Sequence, residues 1–314
     1  MQEVHSNKHP NDFDDELDLR ELFFVLLEGK WIIVSLTAFA SIIGVIYSLS
    51  LPNIYQSNTI LFPVNSSNGI SRALESYSGL AGLAGINLPS SGAAGNSAKA
   101  IKKISSLSFF ENNILPNIHL PDLMAVKSWN SKTNILAFDE NIYDTSSNSW
   151  VRDSSYPRQQ IPSSQESYAV FKQHLSLNYD NKSGFITLSI KHRSPFVAKQ
   201  WVELVVNEVN AFYRQKDKSE SEKAVSYLNQ QISMTGLSEI KQVLAQLLQE
   251  ETKKLTLIEA NQYYVFDYID PPSVMEQKSE PKRALICIMS ALLGGMLSIV
   301  LVLIRYYAIK QKVA

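Results

Sequence analysis

The chain has 314 residues, 29 Lys and Arg against 30 Asp and Glu, 45% hydrophobic residues and one cysteine. That balance is too apolar for a disordered chain and too neutral for a protein that coats nucleic acid. A single cysteine excludes an intramolecular disulfide framework and a thiolate zinc site.

Residues 1–17 are polar and acidic and read as a tail. From Asp18, a candidate N-cap, Leu19, Leu22, Phe23, Leu26 and Leu27 recur at helical spacing. They predict either a short amphipathic helix lying on a membrane surface or an early start to the next helix. Residues 31–51, WIIVSLTAFASIIGVIYSLSL, carry no charge. About 21 residues at roughly 1.5 Å each span about 30 Å, the hydrocarbon thickness of a bilayer. Ser48-Leu49-Ser50 has the small-x-small form of a signal-peptide cleavage site, but the leader before it is long and acidic. A signal peptide begins short and basic, so the segment is expected to stay as an anchor.

Beyond it, residues 55–62 suit a strand that Pro63 ends. Gly79, Gly82 and Gly85 then recur every third residue in an apolar run, readable as a close-packing surface or as a mobile loop. Residues 88–96, rich in Ser, Gly and Ala, read as flexible. Ile101, Ile104 and Ile114 predict an amphipathic helix over 98–115, closed by Pro116, and residues 117–165 promise only short elements. Leu175 and Leu177, the turn 180–184, and Ile186, Leu188 and Ile190 predict a hairpin. Ser194-Pro195 opens a helix with neither Gly nor Pro from 196 to 235. About 38 helical residues would reach close to 57 Å. Its middle, 214–223, is almost wholly polar, so this helix is expected to project or to pair with neighbours. Thr235-Gly236 breaks it, a second helix carries Ile240, Val243, Leu244, Leu247, Leu248, Leu255 and Ile258, and 263–269 reads as a returning strand.

Residues 284–304, ALICIMSALLGGMLSIVLVLI, form a second uncharged stretch, which includes Gly294-Gly295. Those glycines suit close packing against another helix, the first span or a partner, or are incidental in lipid. Arg20 and Lys30 precede the first span and no cation follows until Arg72, which places the N-terminus in the cytoplasm. Cations flank the second span on both sides, Lys282 and Arg283 before and Arg305 after, so its orientation follows from the first. The expected organisation is a cytoplasmic tail and lead-in helix (1–30), a first span (31–51), an extracytoplasmic α+β base (52–283), a second span (284–304) and a cytoplasmic tail (305–314). The base would carry a long helical hairpin over about 195–260.

Catalytic grammar is missing. The sequence holds no phosphate-loop, dinucleotide, HExxH or GxSxG motif, and the five histidines stand apart. Asp139 and Glu140 are adjacent and do not converge on one substrate atom in regular structure. Cys287 lies within an apolar span, where a thiol behaves as a small hydrophobe. No catalytic, cofactor or metal residues are expected, and no nucleic-acid partner.

The junction before the second span, Tyr268-Ile269-Asp270-Pro271-Pro272-Ser273 through Pro281-Lys282-Arg283, resembles the proline-rich junction of Wzz-type polysaccharide co-polymerases, the O-antigen chain-length determinants. Asp18-Leu19-Arg20-Glu21-Leu22 with Lys30-Trp31, the 180–189 hairpin with Ser194-Pro195, and 247–260 are similar to further parts of that family. Met275 stands where the family often has another proline. The resemblance implies an α+β periplasmic domain with a long projecting helical hairpin, anchored by two transmembrane helices in a Gram-negative inner membrane, both termini cytoplasmic. It implies a ring of identical subunits, no catalysis, and control of the modal length of the lipid-linked O-antigen made by the Wzy polymerase. A capsular or exopolysaccharide regulator is the nearest alternative. A receptor would need a cytoplasmic output domain and a glycan-synthesising enzyme convergent carboxylates, and neither is visible in the sequence.

Overall fold

The computed structural model describes residues 19–64, 93–261 and 263–313. The candidate N-cap Asp18 and the glycine repeat at 79–85 lie outside them. In chain order the helices and strands begin with α1 (Leu19–Glu28), α2 (Lys30–Ser50), β1 (Tyr55–Pro63) and α3 (Ala93–Ile104). There follow α4 (Leu120–Met124), the paired β2 (Val126–Asn130) and β3 (Ile135–Phe138), and the paired β4 (Tyr143–Asp144) and β5 (Ser149–Trp150). Then come α5 (Ser164–His174), β6 (Leu175–Tyr179), β7 (Ile186–His192), α6 (Pro195–Met234), α7 (Ser238–Ala260), β8 (Phe266–Asp270) and α8 (Arg283–Val313). The chain divides into two units, Met1–Pro52 with Glu280–Ala314, and Asn53–Ser279.

The first unit is helical. Between α1 and α2 the chain makes one turn at Gly29, so the lead-in helix is separate from the long apolar one. α2 and residues 283–308 of α8 are both long and apolar enough to cross a membrane.

The second unit is α+β. One four-stranded sheet runs β6-β7-β1-β8, every neighbouring pair antiparallel. The register sets Tyr55 opposite His192 and Leu61 opposite Ile186. Strand periodicity then places Ile186, Leu188, Ile190 and Leu61 on one face, all fully buried. The first half of α6 lies on that face with Val202, Val205, Val206 and Val209 buried and Trp201 nearly so. Phe109, Phe110, Ile114 and Phe171 close the core. Each such side chain contributes roughly 1.5–3 kcal/mol by leaving water, which makes this layer the stable centre of the unit.

Two expectations need correcting in detail. The helix predicted over 98–115 starts at Ala93, ends at Ile104, and gives way to a helical turn, a π turn (Phe110–Ile114) and a 3-10 turn (Leu115–Asn117). Ser106 causes the break, because its Oγ accepts from the Phe109 N–H at 3.3 Å and caps a new start. Pro116 falls in the first turn of the 3-10 helix, where its missing N–H costs nothing. The returning strand begins at Phe266 rather than 263, since an α6 side chain takes the N–H groups just before it. The polar middle of α6 has a partner in the same chain, α7, which packs beside it. The long helix opens at Ser194, whose Oγ caps Val197, and stops at Thr235.

Candidate functional site

Small residues govern the apolar helix pair. A Cβ built on Gly294 would lie 2.4 Å from the Ala40 Cβ, and one on Gly44 would lie 2.1 Å from the Ser290 Oγ. At the other end a Cβ on Gly29 would meet Val302 at 2.5 Å. These contacts run in opposite chain directions, so α2 and α8 are antiparallel and closely packed at Gly44 and Gly294. Gly295 differs from Gly294: the nearest atom to its added Cβ is Thr37 Oγ1 at 3.8 Å, ordinary contact distance. The glycine pair is thus one packing residue and one bystander. Gly44 and Gly29 share the packing, and sequence reasoning missed them because a lone glycine in an apolar run carries no signal by itself. Ala40, two helical turns from Ser48, shows the same economy of size. Of the flanking cations, Lys30, Lys282 and Arg305 are exposed and Arg283 is half-buried. Lys30 and Arg305 fall at the Gly29–Val302 end of the pair, Lys282 and Arg283 at the other.

The proline-rich junction is held down by carbonyls rather than amides. Pro271 and Pro272 carry no N–H, so the ladder with β1 cannot continue past Asp270. Two hydroxyls of β1 substitute: Thr59 Oγ1 donates to the Asp270 carbonyl at 2.6 Å and Ser57 Oγ to the Ser273 carbonyl at 2.9 Å. Both hydroxyl residues are buried in a strand whose pattern alone would call for apolar side chains there. Further on, the Ser279 N–H donates to the Ile54 carbonyl at 2.8 Å. Pro272 is buried and Pro271 exposed, while Pro281 lies past the pinned stretch, half-buried, in the helical unit. Met275 lies inside the pinned stretch, where Ser57 and Ser279 fix the backbone on either side of it.

The base of the long helix hairpin turns on Asn210 of α6. Its Oδ1 accepts from the N–H groups of Tyr264 (3.3 Å), Val265 (2.7 Å) and Phe266 (2.9 Å), and its Nδ2 donates to the Phe266 carbonyl at 2.9 Å. A buried amide thereby satisfies four backbone groups where the chain leaves α7 and enters β8. One turn on, Arg214 donates to the Asn261 carbonyl at 2.6 Å and Tyr264 Oη to Asp217 at 2.6 Å. Lys218 pairs with Glu259 at 2.5 Å. Burial, then the bond to Asp217, pushes the Tyr264 hydroxyl well above its ordinary pKa. The polar middle of α6 is therefore partly a lock between α6 and the returning chain.

Beyond this lock the hairpin buries little, and α7 presents Ile240, Val243 and Leu247 to solvent along one side. Among the described residues no group of three or more His, Cys, Asp or Glu is placed to hold a metal ion.

Residues 15–112 match the family model described as Wzz, chain length determinant protein, and residues 238–307 match GNVR, described as a G-rich domain on putative tyrosine kinase. The first match spans less than a third of the chain and the second less than a quarter. The first points to the coarse function, control of polysaccharide chain length. It takes in α1, α2, β1 and α3, and the second takes in α7, β8, the junction and most of α8. No curated protein matches the chain. Two similar solved structures are a full-length bacterial polysaccharide co-polymerase and a fragment of WzzB, a polysaccharide co-polymerase from Salmonella Typhimurium. The first is 16% identical over 93% of this chain and 99% of its own, with a TM-score of 0.40. The second is 13% identical over 73% and 100%, with a TM-score of 0.30. Asn210, Ser57 and Thr59, which organise the base of the α+β unit, fall under no simple motif; their signal is a polar residue where the apolar period wants a hydrophobe.

Proposed function

We propose that this chain is a non-catalytic regulator of O-antigen length in the inner membrane, assembling as a ring of identical subunits around or beside the Wzy polymerase. The observation that carries the reading is the Wzz match at 15–112, which covers the first span and the strand it leads into. Both termini then lie in the cytoplasm, in keeping with Lys30 before the first span and the long cation-free run after it. The unit 53–279 stands in the periplasm, where the lipid-linked glycan grows. Gly294 serves to hold the two spans of one subunit together, and bonds to Thr59, Ser57 and Ile54 fix the junction 270–279 within the base. A ring of such subunits keeps polymerase and growing chain together for a set time, and release sets the modal length. Closed head-to-tail contacts also suit the exposed apolar side of α7, because closure leaves no unpaired surface.

The test is a gel of lipopolysaccharide from cells lacking the gene, beside cells complemented with it. A clustered ladder that spreads on deletion and returns on complementation supports the reading. The GNVR match over 238–307, named for a domain on putative tyrosine kinase, favours a second reading, length control of a capsular or exopolysaccharide. An unchanged ladder with an altered size profile of those polymers would decide for it.

A further inference from the structure

The sheet register gathers three aromatic rings at one edge of the α/β unit. Tyr55 begins β1, Phe196 begins α6, and Trp129 comes from the β2–β3 hairpin. The Trp129 ring meets Tyr55 edge-on at 5.3 Å between centroids and Phe196 at 6.3 Å. This is the edge where the chain joins both apolar helices. Tyr55 follows the end of α2 at Ser50 by five residues, and Ser279, bonded to Ile54, precedes α8 at Arg283 by four. Four or five residues extend at most about 18 Å, which is the length of chain that tethers this edge to either apolar helix.

Its chemistry matches that tether. Phe196 is 46% exposed and Ile135 is 63% exposed. The indole N–H of Trp129 is already satisfied, donating to Asn134 Oδ1 at 2.9 Å within the hairpin turn, and the ring is half-exposed. Residues 126–138 contain Lys127 and Lys132, both exposed, and no acidic residue. Aromatic rings and lysines on one short hairpin suit the boundary between headgroups and acyl chains, where amphipathic rings settle and cations meet anionic lipid. The β6–β7 turn, at Lys182, lies at the opposite end of the strands, since Ile186 pairs with Leu61 where His192 pairs with Tyr55.

We propose that the β2–β3 hairpin, with Trp129, Lys127 and Lys132, is a third membrane contact of this protein, docking on the phospholipid headgroups beside the two spans. It rests on reading α2 and α8 as membrane spans.

The experiment uses the full chain with Cys287→Ala, reconstituted in vesicles of phosphatidylethanolamine and phosphatidylglycerol. A nitroxide is placed in turn at Ser131→Cys, Lys132→Cys, Lys182→Cys and the outward mid-span Leu293→Cys. Collision with oxygen reports lipid, and collision with a water-soluble nickel chelate reports solvent. The expected result is nickel collision several-fold lower at 131 and 132 than at 182, with oxygen collision raised. Adding Trp129→Ala should return the label at 131 to solvent while circular dichroism stays unchanged. Equal nickel access at 131, 132 and 182 would overturn the proposal, as would shielding of 131 and 132 from both reagents, which means a protein contact. The label at 293 separates the two readings: lipid at 293 with water at 132 sinks the hairpin contact alone, while water at 293 sinks the spans.

Discussion

Asn210 concentrates more backbone satisfaction in one side chain than any other polar residue described here, and its loss leaves groups that water cannot reach. Asn210→Ala strands three N–H groups and a carbonyl, each costing roughly 1–3 kcal/mol when buried without a partner. Even with relaxation, the thermal midpoint of the chain in detergent should fall by roughly 10 °C, at several degrees per kcal/mol. Asn210→Asp keeps the acceptor for all three N–H groups and loses only the donation to Phe266, so its midpoint should lie between the two. Equal losses in both variants would count against this account. His192 makes the pH prediction. It is buried, donates through Nε2 to the Asp122 carbonyl, accepts from the Ser194 N–H, and faces the rings of Trp201 and His174. Burial lowers its pKa to about 4 from the ordinary 6.5. The native state stays neutral there while the unfolded chain takes up a proton. Stability is thus full above 6.5 and drains as pH falls toward 4, by roughly 3 kcal/mol in all. His174, also pushed down by burial, adds to the same slope. Thermal scans between pH 7 and 4 should show that decline, and His192→Gln, which takes no proton, should flatten most of it.

Elements were legible in proportion to how far their periodicity went uninterrupted. Both apolar helices, the β6–β7 hairpin and the start of α6 at Ser194 followed from pattern and capping residues. The segment 98–115 did not, because Ser106 competes with the helix for the Phe109 N–H, and a serine in mid-pattern reads equally well as a solvated helix position. The junction was visible as prolines, yet what holds it, Ser57 and Thr59, sits in a strand more than two hundred residues away. Glycines in the spans were visible as a pair and misleading as one. Close approach belongs to Gly294, so Gly294→Val must force α2 and α8 apart against Ala40, whereas Gly295→Val faces only Thr37 at ordinary distance. The first should lower the thermal midpoint and disturb modal glycan length, and the second should leave both near wild type. A reversed order in the two assays would assign the close face to some other helix.

At the scale of the molecule, what sequence reading reached was the α+β class and its two apolar anchors; what it missed was how α6 spends its polar middle. Arg214, Asp217 and Lys218 lie in the run read only as polar, yet they bind Asn261, Tyr264 and Glu259 of the returning chain. Spacing along one helix cannot reveal a partner that arrives forty residues later. With those charges occupied inside the subunit, the apolar side of α7 is a surface the proposed ring could use. Val243 is 56% exposed and Ile240 and Leu247 lie one helical turn to either side of it, three side chains in one line. A line of three exposed branched hydrophobes costs solubility unless something covers it, and an identical neighbour is the cover the proposed ring supplies. Val243→Glu with Leu247→Glu changes no internal bond described for α7, so the subunit should keep its helix content and thermal midpoint. Its assembly should fail: on native gels and by light scattering in detergent the variant should run as smaller species than wild type. In cells it should give the unregulated glycan spread of the deletion strain. Intact assembly in the variant would move the subunit contact off α7, and intact assembly with a lost modal length would instead make this stripe a surface for the polymerase.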